Sequence, residues 1–207
     1  MVGIHTMRKH AIVLLATLAM AAPALAGANF SATRTSGVAP LYVHFDATST
    51  TSAAAVDPFH QMYFHWDFGD PGSGNWGPSG LPRNEASGPI AAHVFETPGT
   101  YTVKLDTIDP AGTRDSKTVT ITVSDPDVVF SGAKTTCVSA SNDFSGCPSG
   151  ANRVNASTLP AALTHAKTGT RVLLRRGDTF TDRGRISSTG PGLLGAYGSG
   201  ARPVLTK

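Results

Sequence analysis

The feature that most limits what this chain can become is a two-residue hydrophobic rhythm, repeated in separate runs between positions 41 and 123. Leu41-Tyr-Val-His-Phe45 puts Leu41, Val43 and Phe45 on one face, and Tyr63-Phe-His-Trp-Asp-Phe68 does the same with Phe64, Trp66 and Phe68. Tyr101-Thr-Val-Lys-Leu105 repeats the pattern, and Lys117-Thr-Val-Thr-Ile-Thr-Val123 aligns Val119, Ile121 and Val123. Successive side chains of a strand point to opposite faces, so such runs are half-buried strands. Threonine on the outer face suits a pleated surface because its Cβ is branched. Turn residues separate the runs at intervals that fit a small antiparallel sandwich. No stretch between 28 and 125 has helical periodicity, so this unit reads as all-β.

Composition agrees. The chain has 207 residues, 40% hydrophobic and 15% charged, with 22 Gly and 14 Pro. That is apolar enough for one or two cored domains, too apolar for disorder, and too rich in helix breakers for a coiled coil or large bundle. The net charge of +3 hides an asymmetry. Residues 27–127 carry 5 basic and 11 acidic side chains, whereas residues 128–207 carry 10 and 3. Opposed halves suggest two structural units, and without a global basic field no nucleic-acid partner is expected.

Residues 1–26 read as a secretory signal peptide. Arg8 and Lys9 precede an apolar stretch from Ala11 to Ala22, and Ala24-Leu-Ala26 offers a small-residue cleavage site before Gly27. The stretch is short for a membrane span, which needs ~20 apolar residues. An uncleaved anchor is the alternative, and Met1 or Met7 can be the start. The expectation is a secreted, periplasmic or cell-surface protein with no membrane span after cleavage. In that setting Cys137 and Cys147, ten positions apart in a Ser/Gly/Asn/Pro-rich stretch, read as a disulfide. A metal reading would need more ligands than the neighbouring Asn142 and Asp143.

Trp66-Asp-Phe-Gly-Asp70 and His93-Val-Phe-Glu-Thr-Pro-Gly-Thr-Tyr-Thr-Val103 resemble two motifs of the polycystic-kidney-disease (PKD) domain family, an immunoglobulin-like β-sandwich. Asp109, Gly112, Phe30 and Pro40-Leu41 fall at further matching places, and the resemblance spans about 95 residues. Thr107 departs from the family's Val, and the connection from Asp70 to His93 is longer than usual. The resemblance implies an accessory module of extracellular enzymes or surface proteins.

Several residues here invite a functional reading beside a structural one. Asp67 and Asp70 can cap backbone N–H groups where a strand ends sharply. Together with Asn75 and Asp109 they are also weak candidates for calcium, a hard cation that takes oxygen ligands; otherwise no cofactor is expected. Trp76 lies in a Gly/Pro/Ser-rich loop with no obvious core. It can stack on a sugar ring or a partner protein, or fold back and pin its loop. His44, His60, His65 and His93 are scattered and have no evident carboxylate partner. No nucleophile elbow, zinc-protease motif or phosphate loop is present.

Residues 126–157 read as linker and disulfide loop, mostly without regular structure. A helix is expected over 158–167, with Thr158 or Ser157 as cap, Pro160 in its first turn and Gly169 at its stop. Ala162 to Ala166, Gly169 to Phe180 and Gly195 to Leu205 resemble the N-terminal capping helix and first coil of right-handed parallel β-helix (pectate-lyase-like) proteins. One coil cannot bury a solenoid core, so 158–207 reads as the incomplete start of such a domain. The chain would then hold one finished interior, around Trp66, and an unfinished tail. In that superfamily the catalytic residues come from later coils, so none is assigned here; Asp178 and Asp182 lie close together, but a glycosidase pair must face each other across a substrate, and Asp178 reads first as a turn residue. Arg171, Arg175 and Arg176, with Arg183 and Arg185, can attract an anionic polymer or merely protect a strand edge.

The functional expectation is an exported, non-catalytic PKD module that binds extracellular polysaccharide or a surface protein, or spaces an attached domain. The alternative is the N-terminal fragment of an extracellular polysaccharide lyase or glycoside hydrolase whose catalytic coils lie beyond Lys207. A purely adhesive surface protein is a third.

Overall fold

A computed structural model describes residues 27–188 and 192–207, so the expected signal peptide lies outside the described residues. Fourteen strands follow in chain order: β1 (Ser31–Ala32), β2 (Ser36–Val38), β3 (Leu41–Asp46), β4 (Tyr63–Asp67), β5 (Glu85–Ser87), β6 (Ile90–Phe95), β7 (Gly99–Ile108), β8 (Arg114–Ser124), β9 (Thr135–Ser139), β10 (Asn152–Asn155), β11 (Arg171–Arg175), β12 (Thr179–Phe180), β13 (Leu193–Tyr197) and β14 (Val204–Leu205). Three short helices, α1 (Pro58–Gln61), α2 (Pro126–Val129) and α3 (Leu159–Leu163), interrupt them.

The first eight strands build a sandwich. One sheet has the order β1-β3-β6 and the other β2-β8-β7-β4-β5. Pairing is antiparallel except for β2, which runs parallel to β8. The expected alternation is realised: Leu41, Val43, Phe45, Phe64, Trp66, Phe68, Val103, Leu105, Ile121 and Val123 all lie in the core between the sheets. Trp66 is fully buried and its indole N–H donates to the Gly88 carbonyl at 2.8 Å. Phe30 meets it edge-on at 5.0 Å and Phe45 lies 5.6 Å away. From Phe45 the aromatic contacts continue through Phe68, His93 and Phe95 to Tyr101, with ring centroids 4.5–5.7 Å apart. Such ring pairs add about 0.5–1.5 kcal/mol each beyond their buried area. Gly69 is required where it stands: its φ is +68°, and a Cβ would lie 2.5 Å from the Thr102 carbonyl oxygen.

Helix α1 corrects the all-β reading of this unit. Pro58 occupies its first turn, where a missing N–H costs nothing, and the N–H groups of His60 and Gln61 both donate to the Asp57 carbonyl. A single turn is too short to display a period of 3.6 residues, so the hydrophobic pattern could not reveal it.

The C-terminal unit is built on a parallel sheet, ordered β10-β9-β11-β13, beside a parallel pair of β12 and β14. It is more complete than the sequence suggested. Its two central strands, β9 and β11, are covered on both faces, as parallel strands require. On one, Val138, Val172 and Leu174 pack with Ala162 of α3 and with Phe180. On the other, Cys137, Leu173 and Tyr197 pack under Phe144, Cys147 and Ala151 of the loop between β9 and β10. Cys137 and Cys147 are joined as a disulfide. The stretch expected to be loop therefore contains β9, buried along its whole length. Thr135-Thr-Cys-Val-Ser139 carries too few apolar side chains to announce itself as a central strand. The expected helix is shorter than 158–167, spanning Leu159–Leu163 after the Thr158 cap, whose hydroxyl accepts from the Ala161 N–H.

Candidate binding site

The long connection between β4 and β6 is fixed at its stem by side-chain amides and carboxylates. Asp67 Oδ1 accepts from the Gly69 N–H and from Asn84 Nδ2, both at 2.8 Å, and Asn84 Oδ1 accepts from the Asp70 N–H. The expected capping role of Asp67 is thus realised. Asp70 does something different: its Oδ2 lies 2.9 Å from Nε2 of His93, with both side chains withdrawn from water. This pair corrects the view that the histidines lack a carboxylate partner. The two residues are 23 positions apart, and only the folded sandwich brings them together.

Beyond this stem the loop doubles back as a small hairpin. The Trp76 N–H donates to the Leu81 carbonyl, the Gly80 N–H to the Trp76 carbonyl and the Arg83 N–H to the Gly74 carbonyl, at 2.8–2.9 Å. Backbone bonds, rather than the indole, hold the loop, and Trp76 keeps 54% of its surface exposed. It stands beside the outer face of the three-stranded sheet, where Tyr42 pairs directly opposite Val94 and His44 opposite Ala92. Tyr42, Trp76, Arg83, Ala92, His93 and Val94 line a shallow depression of about 160 Å³. The Arg83 guanidinium lies 5.3 Å from the Trp76 ring centre, within cation–π range. Its Nη2 donates to Glu96 at 2.9 Å and its Nη1 to the Ser73 carbonyl at 3.1 Å. The site therefore has an apolar floor, two half-exposed aromatic rings and a rim charge already compensated. Tyr42 and Arg83 escaped the sequence reading. The signal for Tyr42 was its outward place in an alternating strand; Arg83 had none.

Asp109, weighed above as a calcium candidate, accepts from Ser52 Oγ and from the N–H groups of Ala111 and Thr113. The Ser52 hydroxyl, chief among these donors, holds the Asp109 carboxyl below its ordinary value. Among the described residues no group of three His, Cys, Asp or Glu side chains is placed to hold a metal ion.

The first three basic residues of the C-terminal run each have partners within the unit or its entry. Arg171 is 4% exposed, donates through Nε to Thr135 Oγ1 at 2.9 Å and pairs with Asp127 at 2.7 Å. Arg175 pairs with Asp143 at 2.5 Å and lies over the Tyr197 ring. Arg176 is half-buried, with Nη1 directed at the Gly200 carbonyl. The structure thus pairs Arg171 and Arg175 with the solvent-facing carboxylates of Asp127 and Asp143. The Ser145 hydroxyl and the Arg175 guanidinium hold the Asp143 carboxyl far below the usual carboxylate range. Asp178 is buried and more than a turn residue. Its Oδ2 accepts from Ser139 Oγ and from the N–H groups of Ala140 and Ser141 at 2.7–3.2 Å. Burial pushes its carboxyl up, and those hydrogen bonds outweigh burial and hold it below the ordinary value. No helix among the described residues is long and apolar enough to cross a membrane.

Two facing sheets closed around Trp66, with a Trp-Asp-Phe-Gly-Asp strand end and a histidine stacked on its phenylalanine, define a β-sandwich. The family model of the PKD domain matches residues 21–123, and the chain contains a PKD domain. Among solved structures, a protein reported under the "promiscuous specificity of the carbohydrate-binding modules from the beta-sandwich super family" is 28% identical with a TM-score of 0.37. The match covers 51% of this chain and 37% of that one, so this chain spans well under half the length of that relative. The PKD1 domain of Vibrio anguillarum Epp is 21% identical, TM-score 0.35, over 51% of this chain and 100% of that one. The PKD1 domain of the Vibrio cholerae metalloprotease PrtV is also 21% identical, TM-score 0.33, over 48% and 98%. No curated protein matches.

Proposed function

We propose that this chain is an exported, non-catalytic module that binds an extracellular polysaccharide or surface protein through its PKD domain and spaces the unit attached to it. The observation that carries the reading is the depression beneath Trp76, in which two exposed aromatic rings flank an apolar strip of sheet. Aromatic faces held out of the core, one on a strand and one on a hydrogen-bonded loop, are ready-made contact surface that loses little entropy on binding. Expression with residues 1–26 in place, followed by N-terminal sequencing of the exported protein, tests the address; a mature start near Gly27 is expected, and retention in the cytoplasm would refute it. Binding is tested by affinity electrophoresis and pull-down against a glycan panel and matrix proteins. Retardation lost in Trp76→Ala supports the reading, and no binding to any of them removes it.

A second reading draws on the C-terminal unit. Strands β9, β11 and β13 stack in parallel register, with Val172 opposite Thr136 on one side and Leu194 on the other. The outer edge of β13 exposes Leu194, and Val204 and Leu205 are exposed nearby. An apolar strand edge of this kind is normally covered. We infer that the unit is the first part of a parallel β-helix, and that the intact protein is a polysaccharide lyase or hydrolase with its catalytic coils after Lys207. The coding sequence downstream decides it: an in-frame run of further coils supports this reading, and a stop codon after Lys207 overturns it.

A further inference from the structure

The depression at Trp76 points to a narrower class of ligand, and this step rests on the reading that the PKD domain binds through it. We infer that the site takes an uncharged pyranose ring within a neutral polysaccharide, rather than a uronate or sulfated sugar. The charge arrangement carries the argument. Arg83 is the cation lining the depression, and its guanidinium is spent on Glu96, on the Ser73 carbonyl and on the Trp76 face. A carboxylate or sulfate arriving there would have to displace Glu96, or sit beside it and suffer like-charge repulsion.

The wider field acts the same way. Residues 27–127 carry 11 acidic against 5 basic side chains, which discourages the approach of a polyanion. Two of the basic residues that might have recruited one from the neighbouring unit, Arg171 and Arg175, are already bound to Asp127 and Asp143.

What the site does offer is complementary to a sugar ring. Tyr42 and Trp76, 51% and 54% exposed, present π faces suited to the C–H face of a pyranose, and Ala92 and Val94 form the floor between them. Arg83 and Glu96 at the rim can each exchange hydrogen bonds with hydroxyl groups without losing their mutual pairing. At about 160 Å³ the depression is smaller than the roughly 300–1,000 Å³ that encloses a drug-sized ligand. It therefore fits one ring of a chain lying across open surface.

Affinity electrophoresis of the full chain separates the outcomes, using xylan, glucomannan, amylose and hydroxyethyl cellulose as neutral probes and polygalacturonate, alginate and heparin as acidic ones. Retardation by at least one neutral polymer is expected, little changed between 50 and 300 mM salt and reduced about tenfold by Trp76→Ala or Tyr42→Ala. Glu96→Gln, which frees Arg83, should add salt-sensitive retention on polygalacturonate that the natural chain lacks. Salt-sensitive binding of the natural chain to an acidic polymer alone would overturn the inference while leaving a polysaccharide-binding module standing. Neutral binding unaffected by both aromatic variants would overturn the assignment to this site. Binding to no glycan, with capture by a matrix protein, would overturn it in favour of the protein-binding arm; no binding to either would remove the parent reading as well.

Discussion

The carboxylate of Asp70 lies 2.9 Å from Nε2 of His93, and this contact ties the start of the Trp76 loop to the centre of β6. His93 is held from the other side as well, stacked at 4.5 Å and 14° on Phe68. The loop that carries the exposed indole is thereby anchored to the same aromatic row that fills the sandwich.

Removing one partner of that pair should cost more than its exposure suggests. Asp70→Ala leaves a buried ring nitrogen without its partner, a loss of about 1–3 kcal/mol. Urea denaturation monitored by Trp fluorescence reads it directly. A change below half a kcal/mol would mean that water or another side chain takes the vacated place.

The two tryptophans offer a matched contrast. Trp66→Ala opens a cavity in the sandwich and should destabilise it by roughly 3–5 kcal/mol, enough to abolish folding in a domain of marginal stability. Trp76→Ala, on an exposed loop held by backbone bonds, should stay within about 0.5 kcal/mol of the parent. Comparable losses for both would contradict the placement of Trp76 outside the core.

Acid should weaken the C-terminal unit. Asp143 and Asp178 hold their protons less tightly in the folded chain than in the unfolded one, so the stability they supply is fully present above an unfolded carboxyl pKa of about 4 and drains away as pH falls through and below it. A flat midpoint above about pH 5, followed by a decline that Asp178→Asn removes in part, is the expected profile. Stability rising on acidification would reverse the sign and sink the argument.

Much of the sandwich was legible because its information is local. A period of two needs only five to seven residues to declare itself, and Leu41, Trp66, Leu105 and Ile121 all lie where the alternation put them. The family motifs could be read for the same reason. What escaped depended on partners distant in sequence. His93 looked unpaired until β6 was laid against the strand end at Asp70, and Arg171 looked like part of a basic edge until it was buried against Thr135. Strand β9 was hidden for a different reason: Thr and Ser fill positions that hydrogen bonds, rather than apolar burial, make tolerable inside. Thr135 Oγ1 donates to the Phe130 carbonyl, and Ser139 Oγ donates to Asp178. The candidate site was half legible. A stranded Trp76 in a polar loop drew attention, but the outward Tyr42 that completes the depression belongs to a strand whose inward face dominated the pattern.

Reduction should loosen one unit and spare the other. Opening the link between Cys137 and Cys147 frees a short loop, worth roughly 2–3 kcal/mol in closure entropy. Limited proteolysis after dithiothreitol should cut within 140–151 while the sandwich survives. Equal resistance with and without reductant would argue that packing alone secures the loop.

That loop has a consequence for the life of the molecule. It is the lid on one side of the parallel sheet, and a covalent bond latches it. Where thiols are kept reduced, Leu173 and Tyr197 would await a cover that keeps slipping. In an oxidising medium the latch closes and the sheet becomes two-sided for good. The C-terminal half should thus tighten with the redox state of its surroundings, whereas the sandwich, with no sulfur in its interior beyond Met62, needs no such bond.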